Sequence, residues 1–288
     1  MSNPSSICKR PALRYFGGKW TLAPWILSHF PPHQIYVEPF GGGASVLLRK
    51  PRSKTEIYND LDGEIVNVFR VMQDRTRATE LKRLIEMTPF AREEFDLAFE
   101  DCQEPIEQAR RTLIKSFFGH GSVAIFHKCG LRTARASNQK SAAKDWQNYP
   151  KYIEAFIERL KEVIIENRDW RLIVRQFDSP RTLFYFDPPY VLSTLDTNKY
   201  YRHFLTDAAH EAFIETVKGL RGMVIISGYY SELYDGLLGE FRLESKKTTN
   251  NQGNTKTEFL WLSRNIEKNT PSLFEGIDSY SGREAIDI

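Results

Sequence analysis

Pro188 and Pro189 limit the fold more than any other adjacent pair in this chain. Each lacks a backbone donor and has a fixed φ, so the apolar run Thr182-Leu183-Phe184-Tyr185-Phe186 has to end before them. Five residues without polar alternation read as a buried strand. At its end Asp187 adds a carboxylate, the stiff prolines present carbonyl oxygens without competing N–H groups, and Tyr190 adds a flat apolar face. Acceptors beside a ring suit a planar base carrying an exocyclic amine. Asp-Pro alone starts many ordinary turns, but the second proline and the tyrosine exceed what a turn needs.

Other strand signals lie at 35–38, 55–59, 163–165, 223–226 and 259–262. Gly41-Gly42-Gly43 follows the first of them and opens a helix, and Thr206-Asp207 can cap another over 208–220. Strands alternating with helices imply an α/β fold with a parallel sheet. The pattern breaks after Asp60. Residues 62–107 carry helical periodicity (Ile65, Phe69 and Met72, then Leu81, Leu84 and Ile85), and a polar, glycine-containing stretch follows. Residues 152–160 read as an amphipathic helix. The expected organisation is one α/β domain built from residues 1–61 and 160–265, interrupted by a mostly helical insertion over 62–159. Residues 266–288 form a polar tail.

Charge is informative only when mapped. From Arg110 to Lys151 there are nine Lys/Arg and one acid, Asp145, whereas the whole chain carries only +3. This asymmetry predicts a polyanion-binding surface in mid-chain. No apolar run approaches the roughly 20 residues of a membrane span. Residues 1–7 lack a basic stretch followed by an apolar one, so a cytoplasmic location and no membrane partner are expected. Cys8, Cys102 and Cys129 form no Cys-x-x-Cys pair and fit a reducing compartment. His120, His127 and Cys129 lack a second ligand pair, so no metal is expected.

Four further motifs accompany the Asp-Pro-Pro-Tyr stretch. Glu38-Pro39-Phe40-Gly41-Gly42-Gly43 is a strand-to-helix corner where a ligand can approach the backbone closely. It does not match Gly-x-Gly-x-x-Gly, which disfavours a nicotinamide enzyme. Asp60, at the second strand end, is placed to accept from ribose hydroxyls or to cap a helix. Tyr15-Phe16-Gly17-Gly18-Lys19 can clamp an anionic group or form a surface turn. Asp169-Trp170 can supply an acceptor and a ring, or a helix cap beside a core tryptophan.

Taken in chain order, from Tyr15–Lys19 through Glu38–Gly43, Asp60 and Asp169–Trp170 to Asp187–Tyr190, the five motifs resemble the D12 class (Dam-like, α-group) of DNA adenine-N6 methyltransferases, across roughly residues 10–265. The resemblance implies a Rossmann-like S-adenosylmethionine-dependent methyltransferase sheet with an inserted target-recognition domain. It assigns Tyr15 and Lys19 to the methionine end of S-adenosylmethionine, and Glu38, Phe40 and Gly41 to the pocket wall. Asp60 takes the ribose, Asp169 the cofactor's adenine amine, and Asp187 bridges cofactor and target base. Asp187, Pro188, Pro189 and Tyr190 form the catalytic set. Asp187 and the Pro188 carbonyl accept from N6, and Tyr190 stacks on an adenine flipped out of double-stranded DNA. Tyr200, Phe204, His210 and Ser227-Gly228-Tyr229-Tyr230 are similar to the family's later motifs.

In the insertion, Arg132, Arg135, Asn138 and Gln139 are the candidates for base edges, with Lys128 and Lys140 among the phosphate contacts. The alternatives are a cytosine-N4 methyltransferase and a catalytically silent DNA-binding module on the same fold. A cognate restriction endonuclease is an admissible partner, and a monomer suffices for the chemistry.

Overall fold

The structure, a computed structural model, describes residues 8–121, 123–133, 141–194, 202–249 and 255–268. Among these residues seven strands form one sheet: β1 (Ile35–Glu38), β2 (Thr55–Asn59), β3 (Val163–Glu166), β4 (Thr182–Phe186), β5 (Met223–Gly228), β6 (Arg242–Thr249) and β7 (Thr255–Leu262). Their order is β3-β2-β1-β4-β5-β7-β6. The first five are parallel, and β7 runs antiparallel between β5 and β6. The strand order reverses between β1 and β4, and in sheets of this kind the crevice outside that switch point is where ligands bind.

Six of these strands match the sequence expectation; β6 is additional. Its residues Arg242-Leu243-Glu244-Ser245-Lys246-Lys247-Thr248-Thr249 show no apolar alternation. It forms because its backbone pairs with β7 at eight positions, and charged side chains suit an edge strand.

Period-two alternation sorts the sheet into two apolar layers. Tyr36, Leu183, Tyr185, Met223, Ile225, Leu260 and Leu262 point to one side. Val37, Phe184, Phe186, Val224, Ile226 and Trp261 point to the other. The second layer is covered by helices that follow β3, β4 and β5.

The twelve α-helices among the described residues are α1 (Ala23–Leu27), α2 (Ser45–Arg49), α3 (Gly63–Gln73), α4 (Arg75–Met87), α5 (Arg92–Leu97), α6 (Pro105–Phe118), α7 (Ala142–Asn148), α8 (Ile153–Leu160), α9 (Trp170–Phe177), α10 (Asp207–Lys218), α11 (Glu232–Leu237) and α12 (Asn265–Lys268). Helices α3 to α8 fall between β2 and β3, where helical periodicity predicts them. Their starts follow local chemistry. Asp62, Asp74, Glu104 and Ser141 each accept from N–H groups of the first turn, and Pro105 occupies a position that needs no donor. Asp62 therefore takes the capping role that Asp60 could have had, which leaves Asp60 at the strand end.

These helices share a core with the sheet. Ile65, Phe69, Leu113, Phe117 and Phe156 belong to the same apolar cluster as Tyr36, Tyr58 and Tyr185. A buried ion triad adds a polar tie. Arg159 of α8 donates to Glu56 of β2 (2.6 and 2.9 Å) and to the Leu47 carbonyl (2.7 Å), and Lys50 reaches Glu56 at 2.6 Å. Gly119 and Leu131 form an isolated antiparallel bridge in the glycine-containing stretch. Of the polar tail, residues 266–268 complete α12 and 269–288 lie outside the described residues.

Candidate active site

A cavity of about 380 Å³ opens at the C-terminal ends of β1, β2 and β4, within the size range of ligand sites. Alternation explains the polar side chains at and beneath its floor. Continuing the side of the sheet that carries Tyr36 and Tyr185, the next inward positions are Glu38 at the end of β1 and Asp187 just after β4. Ser227 on β5 and Glu258 on β7 point the same way as Ile225 and Leu260. Four polar side chains thus occupy sites that alternation would give to apolar ones.

Lys19 descends onto this floor from the N-terminal loop. Its ammonium donates to the Gly17 carbonyl (2.9 Å), to both Asp187 carboxylate oxygens (2.8 and 2.9 Å) and to the Tyr190 hydroxyl (2.5 Å). Glu258 lies 3.5 Å away. Burial works against the lysine's charge, but the carboxylates of Asp187 and Glu258 outweigh it and hold its pKa above the ordinary value. Lys19 is only 3% exposed, and its donors are spent on the network.

Asp187 keeps 21% of its side-chain surface and faces the cavity. Its Oδ1 accepts from Lys19 and from the Ser227 hydroxyl (3.0 Å), while Oδ2 accepts only from Lys19 among the described residues. An ionised carboxylate has about four acceptor positions, so Oδ2 retains capacity for an amine. Burial raises the Asp187 pKa, opposed by Lys19. The charge-assisted bonds with Lys19 favour the carboxylate form. Pro189 lines the cavity and Pro188 is buried beside it. Tyr190 is buried and is not among the lining residues; its ring packs against Tyr229 at 4.5 Å, and its hydroxyl donates to Glu258 at 3.2 Å.

Glu38 lies at the cavity edge and also braces its frame. Ala44, the residue before α2, is left-handed (φ 52°) and has no side-chain oxygen to cap the helix. Glu38 substitutes, accepting from the Leu47 N–H (2.8 Å) and the Tyr36 hydroxyl (2.5 Å). Burial pushes its pKa up to about 8 despite those bonds. The glycines of the corner are required by contact. A Cβ on Gly41 would fall 2.1 Å from the Tyr58 ring, and Gly42 combines φ +46° with a would-be Cβ 2.7 Å from Tyr15.

Asp60 ties the corner to β2, accepting from the Gly42 N–H and the Asp62 N–H, both at 2.8 Å. Each oxygen takes one bond, which leaves a second position on each for hydroxyl groups. Burial, opposed by those two N–H groups, raises its pKa to about 6. Asp169 caps α9 through the Arg171 N–H (2.8 Å), accepts from the Arg171 guanidinium on its other oxygen (2.8 Å), and at 45% side-chain exposure lines the cavity. Phe40 and Trp170 form an apolar wall, their ring centroids 5.9 Å apart. A carboxylate at each end of an aromatic wall suits a ligand with a flat base and a hydroxylated sugar.

Of the candidate residues, the structure places Tyr15, Lys19, Glu38, Phe40, Gly41, Asp60, Asp169, Asp187 and Pro189 on this one cavity. Phe204 of the later motifs also lines it, whereas His210 is buried against the Tyr234 hydroxyl at 2.9 Å. Tyr200 lies outside the described residues. Sequence reading missed Glu258, Arg202 and Phe126. Arg202 bonds Asp62 (3.1 Å), Glu64 (3.0 Å) and the Ile125 carbonyl (3.1 Å) at the cavity edge. The alternation of Glu258 with Leu260 and Leu262 was a readable signal; the partners of Arg202 are distant in sequence and left none.

The basic segment is less free than its composition implies. Arg110 pairs with Glu94 and Glu107, Arg111 with Glu107, Lys115 with Glu64, Lys128 with Asp96, and Arg132 with Asp145. Most of these acids lie outside the window from Arg110 to Lys151, so its excess charge is partly neutralised in the fold. Lys144 and Lys151 are exposed. Arg135, Asn138, Gln139 and Lys140 lie outside the described residues. Among the described residues no group of three His, Cys, Asp or Glu is placed to hold a metal ion, and no helix is long and apolar enough to cross a membrane.

Comparison with known proteins agrees with this geometry. The family model described as D12 class N6 adenine-specific DNA methyltransferase matches residues 15–252. A DNA adenine methylase of Salmonella typhi is 26% identical over 238 residues, covering 78% of this chain and 82% of its own. A type II methyltransferase, M1.LlaDCHI of Lactococcus lactis subsp. cremoris, is 24% identical over 267 residues, covering 85% and 89%.

Proposed function

This chain belongs to the D12 class of N6 adenine-specific DNA methyltransferases, and from that premise we propose how its residues carry the reaction. The methyl donor is S-adenosylmethionine, which supplies an electrophilic methyl group when bound in the cavity. The donor set suits it: Asp60 for the ribose hydroxyls, Asp169 for the adenine amine, and Phe40 with Trp170 for the base. Gly17, Gly18 and Tyr15 border the other end. Lys19 acts there through Asp187 rather than as a free cation.

The acceptor is an adenine flipped out of double-stranded DNA, because a base inside the stack cannot reach an enclosed donor. The observation that carries this reading is Asp187 itself: a carboxylate fixed by Lys19 and Ser227 at the cavity floor, with acceptor capacity left on Oδ2. Oδ2 and the Pro188 carbonyl accept from the N6 amine and aim its lone pair into the cavity. Positive charge developing on N6 is stabilised by acceptors already in place, which costs no reorganisation. Holding amine and donor in line lowers the barrier further.

Residues 62–159 act as the target-recognition segment. Lys128, Lys140, Lys144 and Lys151 neutralise phosphates, and Arg132, Arg135, Asn138 and Gln139 approach base edges. The pair Lys128–Asp96 is largely exposed (63% and 47%), and such pairs are worth little, so exchanging Asp96 for a phosphate costs little.

The test uses methyl-labelled S-adenosylmethionine and mixed-sequence duplex DNA, followed by digestion to nucleosides. Label is expected in N6-methyladenine. Label in N4-methylcytosine, or none, would overturn the reading. Asp187→Ala is expected to lower turnover at least about 100-fold, with salt-dependent DNA affinity kept within about threefold. Undiminished turnover would remove Asp187 from the mechanism.

A further inference from the structure

Glu258 is a carboxylate in an otherwise apolar position. It alternates with Leu260 and Leu262 on the buried side of β7 and is 4% exposed. A buried acid there is costly unless it is bonded. Among the described residues its polar side-chain contacts, with Lys19 and Tyr190, lead toward the catalytic aspartate. Lys19 donates to the Tyr190 hydroxyl, which in turn donates to Glu258, and Lys19 also holds both oxygens of Asp187.

We propose that Glu258 is a positioning residue for methyl transfer: through the Tyr190 hydroxyl and the Lys19 ammonium, it fixes Asp187 against the target amine. This rests on the reading of Asp187 given above. Two effects follow from the geometry. The first is orientation. The Tyr190 hydroxyl can accept from Lys19 only while its proton points elsewhere, and Glu258 gives that proton a destination. Lys19 then directs its remaining donors to Gly17 and Asp187. The second is charge. Lys19 and Asp187 alone are a neutral pair, whereas ionised Glu258 leaves the cluster with one net negative charge. That charge favours the positive charge that develops on N6.

The charge depends on pH. Lys19 of the N-terminal loop, Tyr185 of β4, and Asp187 and Tyr190 just after β4 face Glu258. Lys246 is its cross-strand partner on β6, with its ammonium over the Trp25 ring at 5.9 Å, and Lys256 lies two residues away over the Tyr229 ring at 5.0 Å. Burial raises the Glu258 pKa to about 7, with Lys19 opposing and Asp187 reinforcing. Glu258 is thus neutral on the acid side of pH 7 and charged above it.

The experiment measures kcat, KM and their pH dependence for the full chain and its variants, with cofactor affinity by calorimetry. The unmodified protein must first methylate adenine; failure there rejects the reading of the site and leaves Glu258 aside. Given that activity, kcat should fall on the acid side of pH 7. Glu258→Gln should lower kcat at pH 8 at least about tenfold, with KM and cofactor affinity changed less than about threefold, and the fall near pH 7 should vanish. Tyr190→Phe keeps the ring but removes a donor from Glu258, so the fall should move to higher pH. Because both variants act on one chain of contacts, Glu258→Gln removing its charge and Tyr190→Phe its bonds, the double variant should be no worse than the weaker single by more than about threefold. A wild-type kcat with an unchanged pH profile in Glu258→Gln, or losses that multiply, would overturn the proposal. Should Glu258→Gln fail to melt cooperatively, Tyr190→Phe decides alone: an unmoved pH profile refutes the role.

Discussion

Glu38 carries two demands at one residue. Its carboxyl caps α2 and holds the Tyr36 hydroxyl, yet it is buried and its pKa rises from 4.5 to about 8. A raised pKa means that the folded state keeps a proton the unfolded state has lost. Its stabilising contribution is therefore complete below pH 4.5 and is lost as pH rises through about 8. The wild type is expected to lose roughly 1.4 kcal/mol per pH unit relative to Glu38→Gln across that window. Urea unfolding of both proteins at pH 6 and pH 8 checks this, and parallel stabilities at the two pH values would contradict it. The sequence placed Glu38 on the pocket wall, and it does line the cavity. Its capping role was hidden, because the missing cap on α2 depends on the left-handed Ala44, and nothing in the residue's identity announces that conformation.

Among elements, the corner between β1 and α2 is the most tightly constrained. The Gly41 N–H donates to the Asn59 carbonyl at 2.7 Å, and the Tyr58 hydroxyl donates to the Gly42 carbonyl at 2.8 Å. Tyr58 also packs on Phe69, with ring centroids 4.9 Å apart, so its ring is held at both ends. Gly41→Ala would drive a methyl into that ring. The expected cost is about 1–3 kcal/mol, as for other overpacked sites, with cofactor affinity reduced; denaturant unfolding and calorimetry measure both. Wild-type stability would show that Tyr58 can move aside. The glycine run was legible as a ligand corner because strand, glycines and helix adjoin in sequence. The opposite holds for β6. Its composition is that of a polar loop, and it became a strand only because β7 offered a backbone edge along its full length.

At the scale of the whole molecule, helices α3 to α8 and the sheet share one apolar cluster, reinforced by Arg159, Glu56 and Lys50. The segment that the sequence marks as an insertion is thus also a covering layer of the sheet. Heating should give a single cooperative transition, with far-ultraviolet and tryptophan signals coincident. Separate transitions for the helical segment and the sheet would show that the shared core is not cohesive.

Local order along the chain was enough to determine the α/β class, the placement of six strands and several of the residues that line the cavity. Those signals are carried by neighbours in sequence: apolar runs, glycines before a helix, and prolines that end a strand. The tertiary structure alone decided how those residues engage one another. It paired Lys19 with Asp187, turned the Tyr190 hydroxyl toward Glu258, and offset much of the basic segment with acids from other helices. The first of these contacts joins residues 168 positions apart. The energies of such contacts depend on burial and angle, which exist only once the strands are side by side.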